Sequence, residues 1–303
     1  MRIGYPCINR SIGCTANHTF RLASYSDERL LATAGENLAC LERILAWNVA
    51  HGLLFFRIGS GLVPFASHPD CTVPWREALA DRFTVIGRFA RRHELRISMH
   101  PDQFNLLNAK DPAIVERTIA ELMYHADVLD LLGLGPDAKV QIHVGGVYGD
   151  SQRSIERFLE TYGTLDSRLR RRLVIENDDR RYTAADCLAV SETCGVPVVL
   201  DVFHHEIFGD SRPLGPLLTE IASTWTRADG LPMVDYASQA PGRTKGVHAA
   251  SLDDENFRHF LCESAGCDVD VMLEIKDKET SALRAVALAA DDPRFCTTPM
   301  SYP

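Results

Sequence analysis

The chain has 303 residues, 46% hydrophobic and 24% charged, enough to bury a full core and too apolar for a disordered polymer. A formal net charge of -9 argues against a general nucleic-acid coat, because phosphate contacts need positive potential; carboxylates gathered around divalent ions reverse the local field and weaken that exclusion. The opening MRIGYPCI lacks a basic segment followed by an apolar core, and no run reaches the roughly 18 apolar residues of a membrane span. A soluble cytoplasmic protein is therefore expected, with no secretory leader and no membrane contact.

In chain order, short apolar runs alternate with longer amphipathic segments about eight times. The strand candidates are 2–7 (RIGYPC), 53–58 (LLFFRI), 96–99 (RISM), 139–144 (KVQIHV), 172–176 (RLVIE), 197–202 (PVVLDV), 232–237 (PMVDYA) and 270–275 (DVMLEI). Between them lie helical patterns. The first, 27–50, places Leu30, Leu31, Ala34, Leu38, Leu41, Leu45 and Val49 on one face and stops at Gly52. Asp111 followed by Pro112 reads as a cap and first helical position, and Thr183 with Asp186 as a capping pair. Eight β/α alternations without a linker or composition break point to one α/β domain over 1–303, a (β/α)₈ TIM barrel, with 291–303 as a loose tail. No G-x-G-x-x-G follows the first strand, which removes the main support for a dinucleotide fold. The nine cysteines are scattered, with no CxxC pair, and read as reduced buried thiols.

In such a barrel, reactive residues come from the C-terminal ends of the strands. Strand three delivers His100, strand four His143 and then Gly145-Gly146, strand five Glu176 and Asn177. Strand six delivers Asp201, with His204 and His205 just beyond, strand seven Asp235 and the loop after it His248, and strand eight Glu274 and Lys276. Taken singly, each has a structural alternative: a packed histidine, a helix cap, a surface ion pair, or a turn at 177–179. Together they point to a polynuclear metal site, since unrelated packing accidents would not line successive strand ends with imidazole and carboxylate. His68, in the loop after strand two, is a further candidate ligand, whereas His51, His93, His125 and His259 fall in helical segments, where a solvated or helix-end histidine is the default. Imidazole mixed with carboxylate suits manganese or zinc better than magnesium. Such metals activate hydroxide for attack at phosphorus or polarise a sugar carbonyl, so the ligands alone do not choose the substrate.

One stretch narrows the choice. In MHPDQF, His100 is followed closely by Gln103 and Phe104, a ring that no strand would bury. GYPCIN, RIGSGLVPFASHP, MHPDQF, IENDD, DVFHH, GVHAASLD and DVMLEIKDKE resemble, in order and spacing, the UV damage endonuclease family, from residue 2 to about residue 290. That family is itself similar in fold and metal site to endonuclease IV.

The resemblance implies two or three divalent cations, Mn²⁺ first and Zn²⁺ as the alternative. His100, His143 and Glu176 would surround one, Glu176 bridging to a second held by Asp201 and Glu274; His204 and His248, with His68, would hold a third. Glu176, Glu274 and Lys276 are the expected catalytic residues, Lys276 neutralising charge on the cleaved phosphate or, alternatively, simply pairing with an acid; the resemblance implies Gln103 and Phe104 as probes inserted into damaged double-stranded DNA, with Tyr5 and Asn9 beside the distorted nucleotides. A wedge of this kind reads damage through the reduced cost of unstacking; the alternative for Phe104 is packing under a loop.

The implied reaction is hydrolysis immediately 5′ to cyclobutane dimers, 6-4 photoproducts and abasic sites by metal-activated hydroxide, leaving 3′-hydroxyl and 5′-phosphate ends, by a monomer. One departure concerns strand seven: relatives often carry Lys-x-His, where this chain has Met233-Val234-Asp235. Methionine cannot be carboxylated, while Asp235 can offer an oxygen ligand. Arg10, Arg57, Arg180, Arg181, Arg243, Lys245, Lys276 and Lys278 are candidate phosphate contacts near the catalytic face, and RLRRR at 168–172 reads as a solvated helix end on the opposite face. The rivals are a metal-dependent sugar isomerase or epimerase, which needs a small closed pocket, and a catalytically dead damage-binding module.

Overall fold

Apolar runs of four or five residues, rich in Val, Ile, Leu and Phe, can be buried on both faces only in a sheet covered inside and out. A computed structural model describes residues 1–296 and shows that arrangement. Strands β1 (Ile3–Pro6), β2 (Phe55–Ile58), β3 (Arg96–Met99), β4 (Lys139–His143), β5 (Leu173–Glu176), β6 (Val198–Asp201), β7 (Met233–Tyr236) and β8 (Asp270–Leu273) close in sequence order into a parallel barrel. β8 returns to pair with β1. Each strand lies inside its expected span, trimmed by at most two residues at either end.

Alternation along the strands sorts the side chains. Phe56, Ile58, Val140 and Ile175 join the outer core against the helices, while Phe55, Val174, Val199, Met233 and Met272 pack inside the barrel with Trp225. Around them run α1 (Asp27–Ala50), α2 (Ala80–Arg92), α3 (Pro112–Leu131), α4 (Ser151–Thr164), α5 (Ala184–Cys194), α6 (Val202–Phe208), α7 (Leu214–Ser223), α8 (Asp254–Glu263) and α9 (Glu279–Leu288). In α1, Leu30, Leu38, Leu41 and Leu45 are at most 1% exposed. Burying each contributes about 2 kcal/mol. Asp111 accepts from Ala113 N at 2.9 Å ahead of Pro112, and Thr183 and Asp186 form a reciprocal capping box.

Four expectations are corrected. Cys14 and Cys40 form a disulfide tying the β1–α1 loop to α1, and closing that loop stabilises the fold by roughly 3 kcal/mol; Cys262 and Cys296 are exposed, so uniformly reduced, buried thiols are not what the chain has. His125 is fully buried, bonded through Nδ1 to Glu121 O at 2.7 Å and through Nε2 to Ser60 Oγ at 3.0 Å, because its face of α3 packs against the β2 loop. Arg172 is buried, donating to Asp130 and to the carbonyls of Leu134, Gly135 and Ala138, so RLRRR is not simply a solvated run. The tail is anchored where it begins: Cys296 N donates to Met1 O at 3.0 Å, and Arg294 reaches Ser264 O and Cys267 O. The rest of it, 297–303, lies outside the described residues.

Candidate metal centre at the barrel mouth

Parallel register sets the centre. His143 closes β4 directly opposite Glu176 at the end of β5, and His100 follows the last residue of β3. Three imidazoles converge on the Glu176 carboxylate: His100 Nε2 lies 3.3 Å and His143 Nε2 3.7 Å from Oε2, and His204 Nδ1 lies 3.4 Å from Oε1. His204 is placed by local chain chemistry. Asp201 caps α6, its Oδ1 accepting His204 N at 2.7 Å, and this brings the imidazole within 3.3 Å of Oδ2. Asn177 locks the two strand ends together, donating to Asp201 O at 3.0 Å and accepting Asp201 N at 2.9 Å. The result is two potential ligand groups, His100–His143–Glu176 and Glu176–Asp201–His204, each with its ligating atoms within 4.8 Å of one another. Glu176 belongs to both.

Beyond them, His248 Nδ1 contacts the Glu274 carbonyl at 2.9 Å, and its ring lies 6.2 Å from that of His204. Donating there leaves Nε2 with the lone pair a metal needs. Close approach at the β4 end requires glycine: Gly145 has φ +117°, and a Cβ there would sit 2.4 Å from Asn108 Oδ1.

Beneath these residues lies a polar layer that the sequence reading missed as a unit. Arg57, expected as a phosphate contact, instead points into the barrel at 2% exposure, because alternation in β2 sends it inward with Phe55. Its Nη1 donates to Glu274 Oε1 at 2.5 Å; its Nη2 donates to Asp235 Oδ1 at 2.6 Å and Gln141 Oε1 at 2.9 Å. Gln141 Nε2 then reaches Glu176 Oε2 at 2.6 Å and Asp235 Oδ2 at 2.5 Å. Lys139, Gln141 and His143, two apart along β4, gave the available signal: one face of that strand is polar throughout.

Burial drives the Asp201 carboxyl well above its ordinary range, with Glu176, Glu274 and Asp235 pushing the same way. It lifts Asp235 to about 7 against the pull of Arg57. Burial also opposes charge on Glu176, but His143, His100 and His204 hold it well below the usual carboxylate range. His204 is depressed by burial and raised further by Asp201 and Glu176, to about 11. Burial and the mutual repulsion of the carboxylates thus favour protons on Asp201 and Asp235, and the carboxylates favour one on His204. Asp201 Oδ2, His100 Nδ1 and His143 Nδ1 are buried without a hydrogen-bond partner. Orphaned polar atoms in a surplus of negative charge fit divalent cations, and imidazole with carboxylate and no thiolate fits Mn²⁺ or Zn²⁺.

The remaining candidates separate. Phe104 is 74% exposed, held on a turn in which its own N donates to Asp102 Oδ1 at 3.1 Å, so it is not packed under a loop. Gln103 lines a cleft of about 320 Å³ with His143, His204, His248, Arg180 and Arg181. Lys276 is exposed and lines a second cleft with His100, His248 and Glu274. His68 joins neither ligand group; its Nδ1 is 3.7 Å from Asp70. Tyr5 and Asn9, expected beside the nucleotides, are buried: the Tyr5 hydroxyl lies 2.6 Å from Asn48 Oδ1 and accepts from Asn9 Nδ2 at 2.8 Å, because Tyr5 faces α1 rather than the mouth.

Comparison with known proteins agrees with this geometry. The family model described as UV-endonuclease UvdE matches residues 1–295. A UV DNA damage endonuclease of Clostridium perfringens is 33% identical over 288 residues, covering 94% of this chain and 70% of the relative. The crystal structure of SacUVDE superposes with a TM-score of 0.92 at 44% identity, covering 96% of this chain and 98% of that one. Endonuclease IV from Thermus thermophilus, at 20% identity and a TM-score of 0.54 over 82% and 93% of the two chains, shares the fold. The chain therefore belongs to the UV-endonuclease UvdE family and is a DNA-repair endonuclease for UV damage.

Proposed function

We propose that the enzyme cuts the phosphodiester immediately 5′ to cyclobutane dimers, 6-4 photoproducts and abasic sites in duplex DNA, leaving 3′-hydroxyl and 5′-phosphate ends, with two or three divalent cations, Mn²⁺ first, at the mouth. The observation that carries this reading is the juxtaposition of Glu176, ringed by His100, His143 and His204, with an exposed Phe104 four residues beyond His100. Divalent ions bound there supply the Lewis acidity that makes a hydroxide nucleophile available near neutral pH and offset charge in an in-line displacement at phosphorus.

The chain's own groups do the rest. Glu176, ionised and fixed by Gln141, holds the two ligand groups in register. Lys276, beside Glu274 on the wall of the second cleft, is placed to offset charge developing on the cleaved phosphate. Phe104 stacks against or wedges between bases that a lesion has already loosened, and Gln103 follows it into the opened duplex. Arg180 and Arg181, whose backbone amides are pinned to Asp178 Oδ1 at 2.8 and 2.5 Å, offer the adjacent phosphates two exposed guanidinium groups.

A sugar epimerase would need an enclosed pocket. Here the candidate ligands open onto two clefts with basic walls, which suits a polyanion. Incision of a UV-irradiated, end-labelled duplex with added Mn²⁺ tests the proposal: nicks 5′ to the lesion that T4 DNA ligase can reseal are expected. No nicking above an unirradiated control would overturn it.

A further inference from the structure

Asp201 and Asp235 are partners in the β6–β7 register, both fully buried and both aimed into the barrel, yet their surroundings differ. Asp201 Oδ2 has no hydrogen-bond partner. Both oxygens of Asp235 are engaged, Oδ1 by Arg57 and Oδ2 by Gln141. The same guanidinium grips Glu274 Oε1 and, by donating to Gln141 Oε1, fixes the amide so that its NH₂ faces Glu176. One buried side chain thereby sets the orientation of carboxylates on β5, on β7 and just past the end of β8.

We propose that Arg57 is a positioning residue acting as a resident cation of the centre: it keeps Asp235 as its own counter-ion, outside the ligand set, and limits how many divalent ions the mouth takes up. The inference rests on the divalent-cation reading above. A metal ion bound to Asp235 would lie within a few ångströms of the guanidinium, and at an effective dielectric near 20 that repulsion weakens binding by at least about tenfold. Gln141 reinforces the exclusion by occupying the second oxygen. Glu274 keeps Oε2 for the mouth while Oε1 stays on Arg57, so it is aimed without being withdrawn. Asp201 faces the His204 imidazole, itself a candidate ligand, at 3.3 Å rather than a guanidinium, and remains open to a metal.

The test counts metal and does not rely on turnover. Full-length chain stripped with chelator is loaded with Mn²⁺, bound ions are counted by elemental analysis after gel filtration, and affinity is read from the electron paramagnetic resonance of free Mn²⁺. Asp235→Asn is expected to carry the same number of ions as the unsubstituted chain. Arg57→Met, which frees Asp235 Oδ1 and removes the neighbouring positive charge, is expected to bind one ion more or to tighten its weakest ion about tenfold, and Arg57→Lys to restore the original count. Loss of an ion in Asp235→Asn would overturn the proposal, as would an Arg57→Met protein that folds and titrates identically. Should Arg57→Met fail to fold, the Asp235→Asn count decides alone. If the unsubstituted chain takes up no Mn²⁺ or Zn²⁺, the cation reading itself falls, an outcome distinct from the other two.

Discussion

The two ends of the barrel are built from similar residues to opposite effect. At the strand starts, Arg96, Lys139 and Asp270 are as buried as anything in the molecule. There Arg96 bonds Asp270 at 2.6 Å and Asp229 O at 3.1 Å, Lys139 bonds Asp229 and the Arg171 carbonyl, and Arg2 closes on Asp270 through its backbone N at 2.7 Å. Arg96 also lies over the rings of Phe55 and Trp225. Each carboxylate of this floor has a cation. At the strand ends, Asp235 and Glu274 share Arg57, Glu176 and Asp201 face the His204 imidazole, and Asp201 Oδ2, His100 Nδ1 and His143 Nδ1 have no hydrogen-bond partner. Buried charge by itself therefore does not mark function. A cluster of unpartnered atoms on ligand-type side chains does: of the charged groups at the floor Arg96 Nε lacks a hydrogen bond, but its guanidinium keeps Asp270, whereas at the mouth three such atoms stand together, each costing about 1–3 kcal/mol.

Substitutions at the two ends sharpen this contrast. The largest effect is expected from Glu176→Gln, which keeps the shape and the Gln141 contact but removes the charge shared by both ligand groups. Incision should fall by about 10⁴-fold or more, some 5 kcal/mol of transition-state stabilisation, a larger loss than the stability given up when the His204 imidazole loses one of its two carboxylates. Single-turnover cleavage and urea titration read the two quantities separately. At the floor the pattern should invert. Asp270→Ala leaves Arg96 buried without its partner and is expected to cost about 3 kcal/mol of stability, while Mn²⁺ stoichiometry at temperatures below unfolding stays the same. If Asp270→Ala altered the metal count, or Glu176→Gln unfolded the chain, the division of labour between the ends would be wrong.

The barrel was readable because strand runs, helix faces and caps are local patterns: Thr183 with Asp186 and Asp111 with Pro112 act as their spacing predicts. The rim was readable for a related reason. Once strand ends are placed, His143, Glu176 and Asp201 must meet, since register sets His143 opposite Glu176 and Asp201 two residues past Val199, the partner of Glu176. Arg57 was misplaced because its role depends on which way a two-residue alternation points, and in a strand buried on both faces apolar neighbours do not reveal that. The burial of Tyr5 escaped for the same reason, and that of His125 because it depends on Ser60, 65 residues away. The Cys14–Cys40 pair joins a loop of irregular backbone to α1, a contact with no periodicity to betray it.

Smaller effects test the rim itself. Phe104, 74% exposed, contributes nothing to the core, so Phe104→Ala should leave the melting temperature unchanged. Loss of one stacking contact should reduce lesion affinity by about tenfold, within the 1–3 kcal/mol range of aromatic–base stacking. Equal loss of affinity for undamaged duplex, measured by fluorescence anisotropy, would mean that the ring adds contact without reading damage.

The smallest effect is a slope. His204 is held protonated up to about 11 because Asp201 and Glu176 outweigh the cost of burying its charge. A group whose folded pKa lies above its unfolded value, about 6.5 for imidazole, stabilises the metal-free chain fully below that pH and loses its contribution as pH rises toward 11. A divalent ion competes for the same imidazole lone pair, so its binding must expel that proton. Mn²⁺ affinity should therefore rise by about one log unit per pH unit between roughly pH 7 and 9, with about one proton released per ion at this ligand group. Calorimetry in buffers of different ionisation enthalpy measures the release directly. His204→Asn should abolish it, whereas Lys139→Met, at the charge-balanced floor, should leave it unchanged; a pH-independent Mn²⁺ affinity would show that the imidazole is not a ligand, however close it stands to Glu176.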